Sequence, residues 1–297
     1  MSTIRVAAVA APFGRDLDAA YARIGALLQQ ARAEGTRLLV LPEACLGGYL
    51  SALGDSGAAG TPRSRRERGA QPPALRLDGP ELARVRAMAR DVVVCLGICE
   101  DGGEDRYNTA VCLDGDGILG VHRKVHQPLG ENLSYAAGDG FHAFDTPVGR
   151  LGLQICYDKA FPEAARRLAL DGAGIIASLS AWPGSRTGAA ADLADDRWTH
   201  RFDLFDRARA LENQVVWVAA NQSGEFGSLR FVASAKVVGP GGEVLATTGT
   251  RPGVAAADVD VDALLAGARR SMFHLRDRRP EAYGDAGPVP ALEVSRA

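Results

Sequence analysis

The chain lacks a long apolar run, a surplus of either charge and an even set of cysteines. No window of about 18 apolar residues occurs, so no helical membrane span is expected. The first residues run straight into the apolar stretch IRVAAVA at 4–10, with no basic segment ahead of a long apolar one. A signal peptide is therefore not expected, and the cytoplasm is the expected compartment. The 34 basic and 36 acidic residues nearly cancel, leaving a formal net charge of -2 at pH 7. That balance offers no basic face for nucleic acid. Cysteines stand at 45, 95, 99, 112 and 156, an odd set that argues against a complete disulfide framework. Cys95 and Cys99 are spaced like half of a metal knuckle, but no Cys or His pair stands at the matching distance. The surrounding VVVCLGIC at 92–99 reads as a buried strand, so Cys95, Cys99 and Cys112 are expected as small core residues.

What is present is ordinary globular composition: 297 residues, 46% hydrophobic and 24% charged. No repeat and no shift in composition marks a boundary, so one domain over 1–297 is expected. Apolar groups at Leu17, Tyr21, Ile24, Leu27, Leu28 and Ala31 cover one face of a helix. Asp16 or Asp18 can cap its start and Gly35 can end it. Between IRVAAVA and LLVLP at 38–42 this helix makes a strand–helix–strand crossover. Residues 51–73, rich in Gly, Ala, Pro, Ser and Arg, read as a long mobile surface loop. Beyond it, a helix near 79–90 and a strand at 92–98 are expected. Hairpins follow at 107–113 with 118–122, around Asp114-Gly115-Asp116-Gly117, and at 141–144 with 150–155. Helices are expected at 161–170, 192–213 and 262–270, and strands at 174–179, 215–220, 229–238, 243–247 and 254–259. Residues 271–297 form a C-terminal extension. So many hairpins do not suit a doubly wound parallel sheet. Two stacked mixed sheets with helices outside fit better.

Three residues stand out chemically because each closes an apolar strand. Cys156 ends RLGLQIC at 150–156, and a helix opens soon after, at Phe161-Pro162-Glu163. A nucleophile at such a corner lies beside backbone N–H groups that hold an oxyanion and favour a thiolate. A buried strand-end cysteine is the plainer reading. Glu43 follows LLVLP, where a carboxylate is either a cap or a general base for a thiol. Lys124, in HRKVH at 122–126, can lower a thiol pKa or stabilise an oxyanion. His122, His126 and His200 are expected as loop or interface residues.

LLVLPEACLGGY at 38–49, YNTAVCLDGDGILGVHRKVH at 107–126 and LGLQICYDKAFPEAARRLALDGAGII at 151–176 resemble the glutamate, lysine and cysteine segments of the nitrilase superfamily, the carbon–nitrogen hydrolases. RARALENQVVWVAANQSG at 207–224, FVASAKVVGPGGEVLA at 231–246 and FHLRDRRPEAY at 273–283 continue the resemblance in the same order. It implies a four-layer αββα sandwich, with Glu43 as base, Lys124 as oxyanion partner and Cys156 as nucleophile. It adds Glu131 as a second glutamate that orients the lysine or the substrate amide. The backbone N–H of Tyr157 is implied as an oxyanion donor. Neither a metal nor an organic cofactor is implied, and pairing into a homodimer or larger even oligomer is.

Cys156-Tyr157-Asp158 is similar to the amidase and carbamoylase branches, whereas nitrile-cleaving members usually read Cys-Trp-Glu. The N-carbamoylputrescine amidase type is the best match within them. The expected substrate is a small linear amide or N-carbamoyl compound, with a nitrile as the alternative and a non-catalytic interaction protein as the remote one. The arginines that hold an α-carboxylate in N-carbamoyl amino-acid hydrolases are missing after the cysteine, although Lys159 or Arg186 could serve. Tyr49 and Trp182 are placed to line the pocket and to favour an apolar acyl group.

Overall fold

The eight apolar residues Ile4–Ala11 form strand β1, and the chain then winds through helix α1 (Leu17–Ala33) into β2 (Thr36–Val40). Asp16 is the residue that caps α1, accepting from the amides of Asp18 and Ala19, while Gly35 leaves the helix at φ 72°. The computed structural model describes residues 3–51 and 71–284. Most of the loop expected at 51–73, and 285–297 of the C-terminal extension, lie outside the described residues.

Helix α2 (Pro80–Ala89) leads to β3 (Val93–Asp101), β4 (Arg106–Leu113) and β5 (Ile118–Arg123). The Asp114 side chain closes the β4–β5 turn by accepting from the amides of Asp116 and Gly117. The second half comprises β6 (Ala143–Thr146), β7 (Gly149–Ile155), α3 (Pro162–Leu170), β8 (Ile175–Ser180), α4 (Arg197–Asn213) and β9 (Val216–Phe226). Strands β10 (Leu229–Val232), β11 (Lys236–Val238), β12 (Val244–Thr247) and β13 (Gly253–Val259) follow, with helices α5 (Val261–Ser271) and α6 (Pro280–Tyr283) last.

The strands make two mixed sheets. One runs β5-β4-β3-β2-β1-β13 and the other β6-β7-β8-β9-β11-β12. They join where β1 and β9 pair in parallel, at Ala10 with Asn221 and Ala11 with Gln222. Three apolar layers hold this arrangement together. Val6, Leu38, Val40 and Cys95 of the first sheet face Leu153, Ile155, Ala177 and Val218 of the second. Tyr21, Ile24 and Leu28 of α1, with Leu82 and Val85 of α2, cover the outer face of the first sheet through Val9, Leu39 and Val94. Ala165 and Leu168 of α3 and Ala210 of α4 cover the outer face of the second through Ile176 and Trp217. The result is the four-layer αββα sandwich. Cys95, Cys99 and Cys112 are buried in strands, as their neighbours imply.

Two expected elements are divided. The strand expected at 229–238 breaks at Ala233 (φ 60°) and Ser234 (φ 54°). That bend lets β10 pair with the far end of β9 at Ser223–Phe226 and returns β11 to its beginning at Trp217–Ala219. The helix expected from 192 starts only at Arg197. Leu193–Asp195 is a separate 3-10 turn, and Asp196 caps α4 through the amide of Trp198.

Candidate active site

Glu43, Lys124 and Cys156 all lie just past the C-terminal ends of strands, β2, β5 and β7 respectively. The chain beyond β2 crosses between sheets, since the Glu43 amide bonds Ser180 O at 3.3 Å, at the end of β8. Its carbonyl takes Gln222 Nε2 at 3.0 Å, and Gln222 Oε1 takes the Phe13 amide at 3.0 Å. The turn carrying Glu43 also lies flat on β3. A Cβ added at Gly97 would stand 2.2 Å from the Ala44 nitrogen, so only glycine allows this approach.

The charged groups form one buried chain. Lys124 Nζ donates to Glu43 Oε1 at 2.8 Å and to Glu131 Oε2 at 2.7 Å. Asn108 Nδ2 joins the same two carboxylates, at 2.7 Å from Glu43 Oε1 and 2.6 Å from Glu131 Oε1. The second oxygen of Glu43 takes the Ala181 amide at 2.6 Å. None of these three charged side chains touches solvent. Burial pushes the Lys124 ammonium down, but Glu131 and Glu43 together outweigh it and hold it above its ordinary value. Burial, aided by Glu43 and opposed by Lys124, pushes the Glu131 carboxyl up to about 7.

Cys156 sits at φ 49°, a left-handed conformation that is strained for a residue with a side chain. It opens a short 3-10 helix, Cys156–Ala160. Asp158 ties this elbow down. Its oxygens accept from the Ile155 amide at 3.1 Å and from the His126 amide, His126 Nδ1 and His122 Nε2, each at 2.9 Å. Burial raises the Asp158 carboxyl, yet the two histidines and the backbone donors hold it well below the usual range. His122 and His126 flank Lys124 by two residues on either side, so one carboxylate binds the cysteine segment to the lysine segment. The thiol itself is pushed well above its ordinary value, by burial first and then by Glu43, with Lys124, the Ala181 amide and Lys159 opposing. The expectation that the strand corner and Lys124 would favour a resting thiolate is thus corrected. The lysine charge is already engaged by two carboxylates.

Cys156 and Tyr157 open onto a cavity of about 450 Å³. Tyr49 and Trp182 line it, as their positions suggested, together with Leu129, Trp198, Arg201 and Phe205. Trp182 is fixed by its amide on Asn221 Oδ1 (2.8 Å) and its Nε1 on Trp198 O (3.1 Å). The Tyr49 ring lies 5.9 Å from Lys124 Nζ. Lys159 does not reach this space. It is fully buried against Asp206, which also takes Lys236 Nζ at 2.7 Å and Trp217 Nε1 at 2.9 Å. Arg186 lines a separate cavity, with Ser185 and Ala190. Sequence reasoning missed Asn108, Asp158, Arg201 and Gln222. The signal for Gln222 was an amide pair, Asn221-Gln222, closing the apolar VVWVAA of β9.

Two stacked sheets between helical layers, with an acid–base cluster and a cavity-lining cysteine at the strand ends, are the architecture of a carbon–nitrogen hydrolase. The carbon-nitrogen hydrolase family matches residues 5–268. A nitrilase of Pyrococcus abyssi is 32% identical over 272 residues, covering 90% of this chain and 93% of that protein. An N-carbamoylputrescine amidase of Arabidopsis thaliana is 32% identical over 221 residues, covering 69% and 72%. The crystal structure of a carbon-nitrogen hydrolase from Helicobacter pylori superposes with a TM-score of 0.78 at 26% identity, covering 95% and 97%. The chain belongs to the carbon-nitrogen hydrolase family, within the nitrilase superfamily.

Proposed function

We propose that this hydrolase cleaves a small linear amide or N-carbamoyl compound through a thioester on Cys156, releasing ammonia or an amine. One observation carries the reading. The cysteine that lines the cavity has its thiol under the direct electrostatic influence of Glu43 and Lys124. Because the thiol rests protonated, attack needs a base. Glu43 takes its proton, using a lone pair left over from its three donors. The sulfur attacks the carbonyl carbon, and the oxyanion meets Lys124 and the Tyr157 N–H. Collapse breaks the carbon–nitrogen bond, and Glu43 returns the proton to the leaving nitrogen. Glu43 then activates water, which hydrolyses the thioester and frees the acid. Glu131 and Asn108 keep Lys124 and Glu43 aligned through both halves of the reaction.

The amidase reading is favoured over nitrile cleavage by Asp158. In the Cys-Tyr-Asp sequence its carboxylate is consumed by His122 and His126. Ammonia release across matched amide, N-carbamoyl and nitrile substrates, before and after alkylation of Cys156, tests the proposal. Turnover of the amide or carbamoyl compound, abolished by iodoacetamide, is expected. Activity surviving full labelling, or activity on the nitrile alone, would overturn it. The whole chain acts as one domain and works as a homodimer in this reading, and a monomeric mass at micromolar concentration would count against the pairing.

A further inference from the structure

The cavity above Cys156 is apolar or aromatic on almost every side, and among the described residues one charged side chain lines it, Arg201. Helix α4 presents Trp198, Arg201 and Phe205 at spacings of three and four, which places them on one face. The aromatic members of that face are locked. Trp182 packs edge-on against both Trp198 and Phe205, and it donates to the Trp198 carbonyl. Arg201 is held by nothing comparable. On the same helix Arg197 donates to Thr187, Arg207 to the Gly242 carbonyl, and Arg209 to the Lys159 carbonyl and Glu212. No hydrogen bond or ion pair engages Arg201 among the described residues.

A guanidinium carries five donors in a planar fork that fits a carboxylate through two parallel bonds. Beside apolar walls that pairing is stronger than in open water. The carboxylates nearest the nucleophile do not compete for it, because Glu43 and Glu131 are committed to Lys124 and Asn108. Resting on the amidase reading above, we propose that Arg201 sets substrate specificity by receiving a carboxylate on the part of the substrate remote from the scissile carbonyl. The substrate class is then an amide or N-carbamoyl compound with an acidic far end. An ammonium-ended compound, such as N-carbamoylputrescine, meets a like charge at the same place.

The test compares three primary amides of similar length: the monoamide of glutaric acid, pentanamide and 5-aminopentanamide. For wild type, kcat/KM is expected to favour the acid-ended amide over the ammonium-ended one by about 10- to 100-fold, the range of one charge-assisted contact. Arg201→Met should collapse that ratio, mainly through KM, and Arg201→Lys should restore part of it. The ratio is taken within each variant, so a general loss of active protein cancels. Equal wild-type preference for the three amides, or an unchanged ratio in Arg201→Met, would overturn the proposal. A parallel titration calorimetry series in the Cys156→Ala background reads the same preference as Kd without turnover. Should wild type hydrolyse none of the three amides, the amidase reading fails. Selective binding of the acid-ended amide, lost in Arg201→Met, would still uphold the Arg201 assignment, and equal binding of all three would reject it.

Discussion

Lys124 and Glu43 meet at 2.8 Å where neither side chain has any contact with solvent. An oxyanion partner is worth about 10²–10³ in rate, so Lys124→Met should lose at least that in kcat. It should also lower the melting temperature, because removing one member of a buried ionic cluster costs about 3–5 kcal/mol. The double variant Lys124→Met/Glu131→Gln removes the stranded like charges and should recover stability without recovering kcat. Recovery of kcat to within about threefold of wild type would make the lysine purely structural. Glu43→Gln preserves the shape and one acceptor oxygen but not the base. It should fold, bind substrate and turn over negligibly.

Glu131 gives a pH signature of definite sign. Its carboxyl moves from an ordinary 4.5 up to about 7 in the folded protein. The native state therefore holds a proton that the unfolded chain releases, and the associated stabilisation is complete below about 4.5 and lost as pH rises towards about 7. Glu131→Gln removes this titration. Urea unfolding of both proteins across that window should show the wild-type advantage shrinking as pH rises. Parallel curves would contradict the assignment.

Asp158 acts on Cys156 through position. Its carboxyl is held below the ordinary value, so its stabilisation is present above about 3.8 and lost as pH falls further, opposite in sense to Glu131. Asp158→Asn turns an amide donor toward groups that also donate, at about 1–3 kcal/mol for each buried partner left unmatched. It should slow Cys156 alkylation and reduce kcat more than it raises KM. A lower melting temperature with an unchanged alkylation rate would show that the clasp serves only the fold.

Gly97→Ala tests the support under Glu43. The new methyl would meet the backbone of Glu43 and Ala44, which cannot swing aside as a side chain can. A destabilisation of about 1–3 kcal/mol is expected, together with a fall in kcat from displacement of the Glu43 carboxylate. Wild-type kinetics in a folded Gly97→Ala protein would mean that this turn tolerates being moved.

The sites of Glu43, Lys124 and Cys156 were legible because each follows directly on an apolar strand, and period-two patterning finds strand ends well. Their bonding partners were not. Asn108 lies sixteen residues before Lys124 in sequence, and only the β4–β5 pairing brings it beside both glutamates. Asp158 was visible as part of Cys-Tyr-Asp, but its partners come from the far sheet. Lys159 looked available for a substrate because Asp206 and Lys236 become its neighbours only once α4 and β11 pack. The break at Ala233 and Ser234 was hidden because neither residue type signals a left-handed backbone.

The other four thiols are sealed inside the layers: Cys45, Cys95 and Cys112 are 0% exposed and Cys99 is 1% exposed. Cys156 alone among them borders a cavity. A small alkylating agent on the folded protein should therefore add once per chain, and denaturation should make all five thiols available. The intact mass then becomes a census of competent sites. Preparations, variants and storage conditions can be compared per working molecule before any natural substrate is in hand.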